Sequence, residues 1–243
     1  MQSRGRYITF VDSDDWVTPK YLSTLYETAE REKADVVKTG AMVWLENEAG
    51  EFYRNGGVYN YCREACVLPD AVRERLTLFL QGKINTIACA ELVRRELFTE
   101  KGLCFEEMQG EDVPYHFWEL MFSARYVCLP QNEYNYRMRK GSVTHGRGTK
   151  KAEQALISLL KGLSVLEKYL QKLPEVAGDE ALCIGARRGM AGVLFHSLFL
   201  KVSKGIPRKE LMMIAARVFA QYAPEQAGLL FVLLEEALEK EKD

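Results

Sequence analysis

The apolar positions of this chain change their spacing near residue 148. Before it, short runs rich in β-branched and aromatic residues alternate with helical stretches; beyond it, apolar residues recur at helical spacing almost throughout. "RYITFV" at 6–11, bounded by Gly5 and an acidic cluster, predicts a buried strand. Thr18 followed by Pro19 predicts an N-cap with proline in the first helical position, and "KYLSTLYETAEREK" carries that helix to about Lys33. "DVVKTGAMVWL" predicts the next strand, and "ENEAGEFYRNGG" a hairpin or exposed loop. Further helices are expected at 69–81 and 112–123, and strands at 86–93, 125–129 and 133–138. From Lys150, "EQALISLLKGLSVLEKYLQKL" predicts one long helix and Glu180 to Lys204 a second, and Pro207 and Pro224 open two more. The expectation is an α/β layer over residues 1–148 and an α-helical region over 149–243, a bundle of four helices packed on or beside the layer.

"FVDSDDWVT" at 10–18 crowds Asp12, Asp14 and Asp15 at the end of the first apolar run. Like charges so close repel unless water or a cation screens them. On an extended chain, Asp12 and Asp14 share one side and Ser13 and Asp15 the other, so two carboxylates can share a hard cation such as Mg²⁺ or Mn²⁺. The same residues favour turns and caps, so Asp-Ser-Asp-Asp also reads as a turn capping the helix at Pro19. An EF-hand is excluded, because no glycine or distal glutamate follows at the required positions. Trp16, directly behind the acids, is expected to pack the loop rather than stack on a ligand.

Composition narrows the partners. With 243 residues, 47% hydrophobic, 28% charged and a net charge of -1, the chain is an ordinary globular protein, with no global attraction to nucleic acid or anionic lipid. Its six cysteines (Cys62, Cys66, Cys89, Cys104, Cys128, Cys183) form no Cys-x-x-Cys pair, only the loose Cys62/Cys66 spacing. Lying mostly among apolar neighbours, they read as reduced core thiols of a cytoplasmic protein. The longest apolar run, "GLLFVLL" at 228–234, is too short to cross a bilayer.

Arg137, Arg139, Lys140 and Arg147 surround a stretch carrying Gly141, Gly146 and Gly148. Such a loop can close over phosphates, although basic residues in glycine-bearing loops are also common on any surface. His116 and His196 are expected to be packing or surface residues. His145, after "GSVT", is the histidine placed to reach phosphate or metal.

"GRYITFVDSDDWVTPKYLSTLY" resembles the segment of family 2 glycosyltransferases in which a glycine precedes a buried strand ending in an Asp-x-Asp motif. Two more stretches follow in that family's order. "IACAELVRRELFTEKGLCFEEMQGEDVPYHFWELMFSARYV" resembles its acceptor-side segment, with a Glu-Asp pair at the start of a helix, and "LPQNEYNYRMRKGSVTH" resembles the strand and loop that come next. Together they cover residues 3–146. The resemblance implies a partial GT-A sheet layer followed by a C-terminal helical bundle. It also implies inverting, metal-dependent transfer of a sugar from a nucleotide-sugar donor to a glycan or lipid-linked acceptor in surface polysaccharide synthesis. In this reading Asp12 and Asp14 bind the Mg or Mn cation and the donor diphosphate, and Asp15 sits behind them holding the loop. Asp112 of "GEDVPY" is the general base, with Glu111 its neighbour at the acceptor. By residue type alone, Asp112 reads as well as the N-cap of "VPYHFWELMF".

The chain also departs from that pattern. Family members carry, ahead of the glycine, a long segment with the first strands that grips base and ribose, whereas this sequence starts two residues before Ser3. The resemblance then implies an incomplete nucleotide site, little transfer by this chain alone, and an apolar sheet edge open to homodimer pairing. In "ACAELVRR", Cys89 and Glu91 stand where relatives carry a Trp and a basic residue. An alternative of a different class follows: a catalytically inactive glycosyltransferase-like protein that binds a glycan or a partner through the bundle. The faces Leu194, Phe195, Leu198, Phe199 and Leu229, Leu230, Leu233, Leu234 either bury against their surroundings or touch the inner membrane face, with Lys201, Lys204, Arg208 and Lys209 at its head groups.

Overall fold

The structure is a computed structural model and describes residues 3–60, 62–84, 86–138 and 147–240. It divides into two compact units, residues 1–105 with 115–140, and residues 106–114 with 141–243. The fold is α/β with a helical C-terminal region.

The first unit is built on two mixed sheets. Its elements are β1 (Tyr7–Ile8), β2 (Trp16–Val17), α1 (Tyr21–Glu32), β3 (Val36–Lys38), β4 (Ala41–Glu46), β5 (Phe52–Tyr59), β6 (Cys66–Val67), α2 (Val72–Leu80), β7 (Glu91–Arg94), α3 (Glu96–Thr99), α4 (Asp112–Phe122), β8 (Tyr126–Cys128) and β9 (Tyr134–Met138). One sheet has the order β1-β7-β3-β8-β6 and the other β2-β9-β4-β5. Only β3/β8 and β4/β9 run parallel; the remaining pairs are antiparallel. Helix α1 lays Tyr21, Leu25 and Ala29, spaced by four, onto Val37, Leu92, Val127 and Tyr134.

Several expectations change here. The run at 6–11 pairs only at Tyr7 and Ile8, at the end of its sheet, and Val11 is 46% exposed. It is a short edge strand rather than a buried one. Thr18 does not cap α1, which begins at Tyr21 with Lys20 ahead of it. Its backbone instead bonds Glu133, bringing β2 onto β9. The strand expected from Asp35 to Leu45 is two strands in different sheets, broken at Gly40. At that break β3–β4 and β8–β9 pass from one sheet to the next side by side. Gly40 N–H donates to Gln131 O at 2.8 Å, and Leu129 N–H donates to Lys38 O at 2.8 Å.

Helix α4 is buried nearly all round from Val113 to Met121, not amphipathic as its charges suggest. Its last carbonyls are covered by Arg75 of α2, whose guanidinium donates to Leu120 O (3.1 Å), Ser123 O (2.6 Å) and Ala124 O (3.1 Å). A buried cation at a helix C-terminus meets the partial negative charge there. The thiols also differ from expectation: of the six, only Cys183 is buried, and Cys66 and Cys104 are exposed.

The second unit is helical: α5 (Thr149–Leu170), α6 (Pro174–Ala177), α7 (Glu180–Leu194), a π-helical segment (Phe195–Leu200), α8 (Lys201–Ser203), α9 (Arg208–Tyr222), a 3-10 turn (Pro224–Gln226) and α10 (Ala227–Lys240). The Asp179 carboxylate caps α7, accepting from Leu182 N–H at 3.1 Å. Gly162 lets α7 approach α5, since a Cβ there would lie 2.6 Å from Leu194 Cδ1. Leu194, Phe195, Leu198 and Phe199 are buried, as are Leu230, Leu233 and Leu234, while Leu229 is exposed. The segment 106–114 joins this unit through Gln109 N–H to Ser158 Oγ (3.2 Å) and Lys161 Nζ to Glu107 O (3.2 Å).

A Cβ on Gly40 would sit 2.1 Å from Asn132 Oδ1 and 2.5 Å from Asn60 Cβ. Gly40→Ala is therefore expected to cost about 1–3 kcal/mol in urea unfolding, the usual range for overpacking. An unchanged midpoint would show that the crossing is looser than these distances.

Candidate active site: the acidic turn and its supports

The chain does not stay extended through the acids. Asp15 N–H donates to Asp12 O at 3.1 Å, closing a turn over Ser13 and Asp14. The strand alternation that would place Asp12 and Asp14 on one side therefore does not apply. What the turn does is keep three carboxylates close enough to interact. Burial raises the pKa of Asp15 above the ordinary carboxylate value; the Arg137 N–H and Tyr134 hydroxyl offset part of this, and the charges of Asp12 and Asp14 add to the rise. Asp12 is exposed, and Asp14 and Asp15 are partly buried.

Asp15 anchors the turn to β9. Its Oδ2 accepts from the Tyr134 hydroxyl at 2.7 Å and its Oδ1 from Arg137 N–H at 2.8 Å. The Tyr134 oxygen in turn accepts from Asp12 N–H at 3.1 Å. Tyr136 faces the same cluster: burial pushes its phenol up to about 12, helped by Tyr59 and the three aspartates. Trp16 packs against Trp44 at 5.3 Å between ring centroids and stays 39% exposed.

The remaining candidates are scattered. Arg137 brings its backbone to Asp15, but its guanidinium rests 4.0 Å over the Phe52 ring. Neighbouring residues of a strand point to opposite faces, so the side chain leaves β9 on the face away from Tyr136. Arg139, Lys140 and His145 lie outside the described residues. Glu111 and Asp112 stand at the start of α4, with Asp112 its first helical residue rather than a residue ahead of it, and both belong to the second unit. Gly110, at φ +75°, turns the chain into that helix, and Val113 N–H closes the turn on Gly110 O at 3.1 Å.

Residues 1–98, which contain the whole acidic turn, match the family model described as glycosyl transferase family 2. Over this segment the chain is similar to members of that family. Over 145 residues it is 29% identical to the glycosyltransferase GlyG of Streptococcus pneumoniae serotype 4, covering 58% of this chain and 46% of the relative. Over 151 residues it is 28% identical to GlyA of the same organism, covering 58% of this chain and 20% of the relative. It thus spans less than half of these curated relatives. A crystal structure of S. aureus TarS 1-349 superposes with a TM-score of 0.56 at 13% identity, covering 98% of this chain and 65% of that one. The same fragment in complex with UDP gives 0.57 at the same coverage. At 13% identity this likeness shows the fold alone.

A second cluster, which the sequence reading missed, joins β7 and α4. Glu91 of β7 and His116 and Glu119 of α4 place ligand-type atoms within 4.8 Å of one another, all buried. Lys38 of β3 fills the position a cation would take. Its Nζ donates to Glu91 Oε2 at 2.6 Å and to Ile87 O at 2.7 Å, and lies 3.5 Å from His116 Nε2. His116 Nδ1 lies 3.0 Å from Glu119 Oε2. Burial, then the Lys38 charge, holds His116 well below its usual range. Burial, then the Glu91 charge, holds Glu119 well above the usual carboxylate range, and burial raises Glu91 against the pull of Lys38. The quartet is thus a buried ion pair whose histidine and second carboxyl are both shifted toward their neutral forms. Its signal was a charged residue inside each of three apolar runs, "VVKTG", "CAELV" and "HFWELM".

Lys38→Met leaves Glu91 buried without its partner and is expected to cost about 3–5 kcal/mol by chemical unfolding, whereas Lys38→Met with Glu91→Met recovers most of the loss. A single variant no less stable than the double would contradict the pairing. The pH dependence has two opposing parts. His116, depressed on folding, contributes stability above its ordinary pKa of 6.5 that is lost as pH falls. Glu119, raised on folding, contributes stability below its ordinary 4.5 that is lost as pH rises through its folded value. Glu119→Gln removes the second part, so its stability relative to the native chain should be greater at pH 8 than at pH 5. Equal differences at both pH values would show that Glu119 is ionised in the fold.

Proposed function

We propose that this chain is the acceptor-side and C-terminal portion of an inverting, metal-dependent glycosyltransferase. It would take a nucleotide-sugar donor and pass the sugar to a glycan or lipid-linked acceptor in surface polysaccharide synthesis. The acidic turn carries this reading: an exposed Asp12 and a partly buried Asp14 on a turn pinned from behind by Asp15, inside the segment that matches the family. Carboxylate oxygens open to water are the donor set that Mg²⁺ and Mn²⁺ take, and such ions retain sites for phosphate oxygens. Asp12 and Asp14 would hold the cation, which when bound neutralises charge on the leaving diphosphate. TarS in complex with UDP supports a uridine diphosphate as the first nucleotide to try.

In this reading Asp112 accepts the proton of the acceptor hydroxyl, with Glu111 beside it. The support is their pairing at a helix start, as in the family's acceptor-side segment, and not the family match, which ends at residue 98. Arg137 packs its guanidinium on Phe52 and would reach the donor by leaving that ring. Lys201, Lys204, Arg208 and Lys209 are exposed, which supports peripheral contact with anionic lipid as an addition to the proposal. A catalytically inactive, glycosyltransferase-like binding protein is the second reading.

Paramagnetic Mn²⁺ added to the 243-residue chain should broaden the amide signals of residues 12–17 selectively, and UDP should tighten that binding. Asp12→Asn and Asp14→Asn should each weaken it by about tenfold or more, roughly 1.4 kcal/mol. Unselective broadening, or none, would favour the binding-only reading.

A further inference from the structure

Three thiols meet at the edge of one sheet of the first unit. Cys66 lies in β6, the edge strand, directly across the ladder from Cys128 of β8. Cys62, in the connection from β5, points its Sγ to within 3.6 Å of the Cys66 Sγ. Asn60 fixes that connection: its Oδ1 accepts from Cys62 N–H at 2.9 Å, and its Nδ2 donates to Leu129 O at 3.2 Å. Cys66 is exposed while Cys62 and Cys128 are partly covered, so reagents arriving from water meet Cys66 first.

We propose that Cys66 is an oxidative modification site, a thiolate that reacts with hydroperoxides and is then resolved by Cys62 into a disulfide. The thiol positions supply both steps. Hydrogen bonds from Cys128 and then Cys62 draw the Cys66 thiol down to about 6 against the effect of partial burial. Burial and the neighbouring Cys66 push Cys62 up to about 11, and Cys128 is raised well above its ordinary value, chiefly by its bond to Cys66. The exposed sulfur is thus the one of the three shifted toward its thiolate, the form that attacks electrophiles.

In the first step the Cys66 sulfur attacks a peroxide oxygen. An S–O bond forms, the O–O bond breaks, and the departing hydroxide or alkoxide takes a proton from water, leaving a sulfenic acid. In the second step the Cys62 sulfur attacks the Cys66 sulfur. The S–S bond forms, the S–O bond breaks, and the hydroxide leaves as water with the Cys62 proton. Two thiols lose two electrons in total and the peroxide gains them. The 3.6 Å separation means that the side chains already converge, so closure needs a small rotation rather than a rearranged backbone.

This inference does not rest on the glycosyltransferase reading. Trypsin places the three thiols in separate peptides, 55–63, 64–73 and 126–137. At pH 6.5, iodoacetamide should label Cys66 at least about tenfold faster than Cys104, which is also exposed. Dilute hydrogen peroxide should then link peptide 55–63 to 64–73. Cys66→Ser should abolish the link, and Cys62→Ser should leave a sulfenic acid on Cys66 that dimedone captures. Equal labelling rates, a link to 126–137 instead, or a link surviving in Cys66→Ser would overturn the proposal.

Discussion

The first unit is organised around one buried ion pair, Lys38 with Glu91. Two charges taken out of water are costly, and they persist only where geometry and further hydrogen bonds compensate. Here the compensation comes from Ile87, His116 and Glu119, which tie β3, β7 and α4 into one polar knot at the centre of an otherwise apolar layer. From that knot the constraint passes outward. The backbone oxygen of Glu91 accepts from the Thr9 hydroxyl at 2.6 Å and from the Tyr21 hydroxyl at 3.2 Å. Thr9 leads straight into the acidic turn, and Tyr21 opens the helix behind it. Lys38 also begins the double crossing to the second sheet, where Tyr134 holds Asp15. The turn at the surface inherits its position from a lysine in the interior.

The molecule handles crowded carboxylates in two opposite ways. At Asp12–Asp15 the groups stay near water, and the innermost, Asp15, is hydrogen-bonded from behind by Tyr134 and Arg137. Glu91 and Glu119 are fully buried; an internal ammonium stands on Glu91, and burial raises Glu119 above the usual carboxylate range. The second arrangement already holds a cation of the protein's own. A group of metal-ligating residue types is thus a poorer guide to a metal than whether a protein cation already stands among them.

Much of the order of elements was legible in the sequence, because α1, α2, α4, α5, α7 and α9 carry helical spacing, with Asp179 capping α7 and Pro207 opening α9. The acidic turn was legible as a cluster but not in shape, since Asp-Ser-Asp-Asp suits a strand end and a turn alike, and only the Asp15–Tyr134 bond across 119 residues decides between them. The break at Gly40 was hidden for a similar reason. "VVKTGAMVW" alternates as one strand would, and the pull that divides it comes from Gln131 and Tyr134, far along the chain. Burial of α4 on every side was unreadable from its own composition, because its His and Glu satisfy one another three residues apart with Lys38 opposite.

The π-helical segment at Phe195–Leu200 bears on how this protein tolerates changes of length. A π turn holds one residue more than an α turn, and here it lets Leu198, Phe199 and Leu200 all face inward, a wider stripe than regular winding allows. A single-residue deletion within it would be absorbed by rewinding, without breaking the helix. Everything beyond would keep its facing, because a π turn and an α turn each close one revolution, so the buried Val202 stays inside and the exposed Lys201 outside. The helix therefore carries a spare residue: it can lose one there without turning its apolar stripe away from the core.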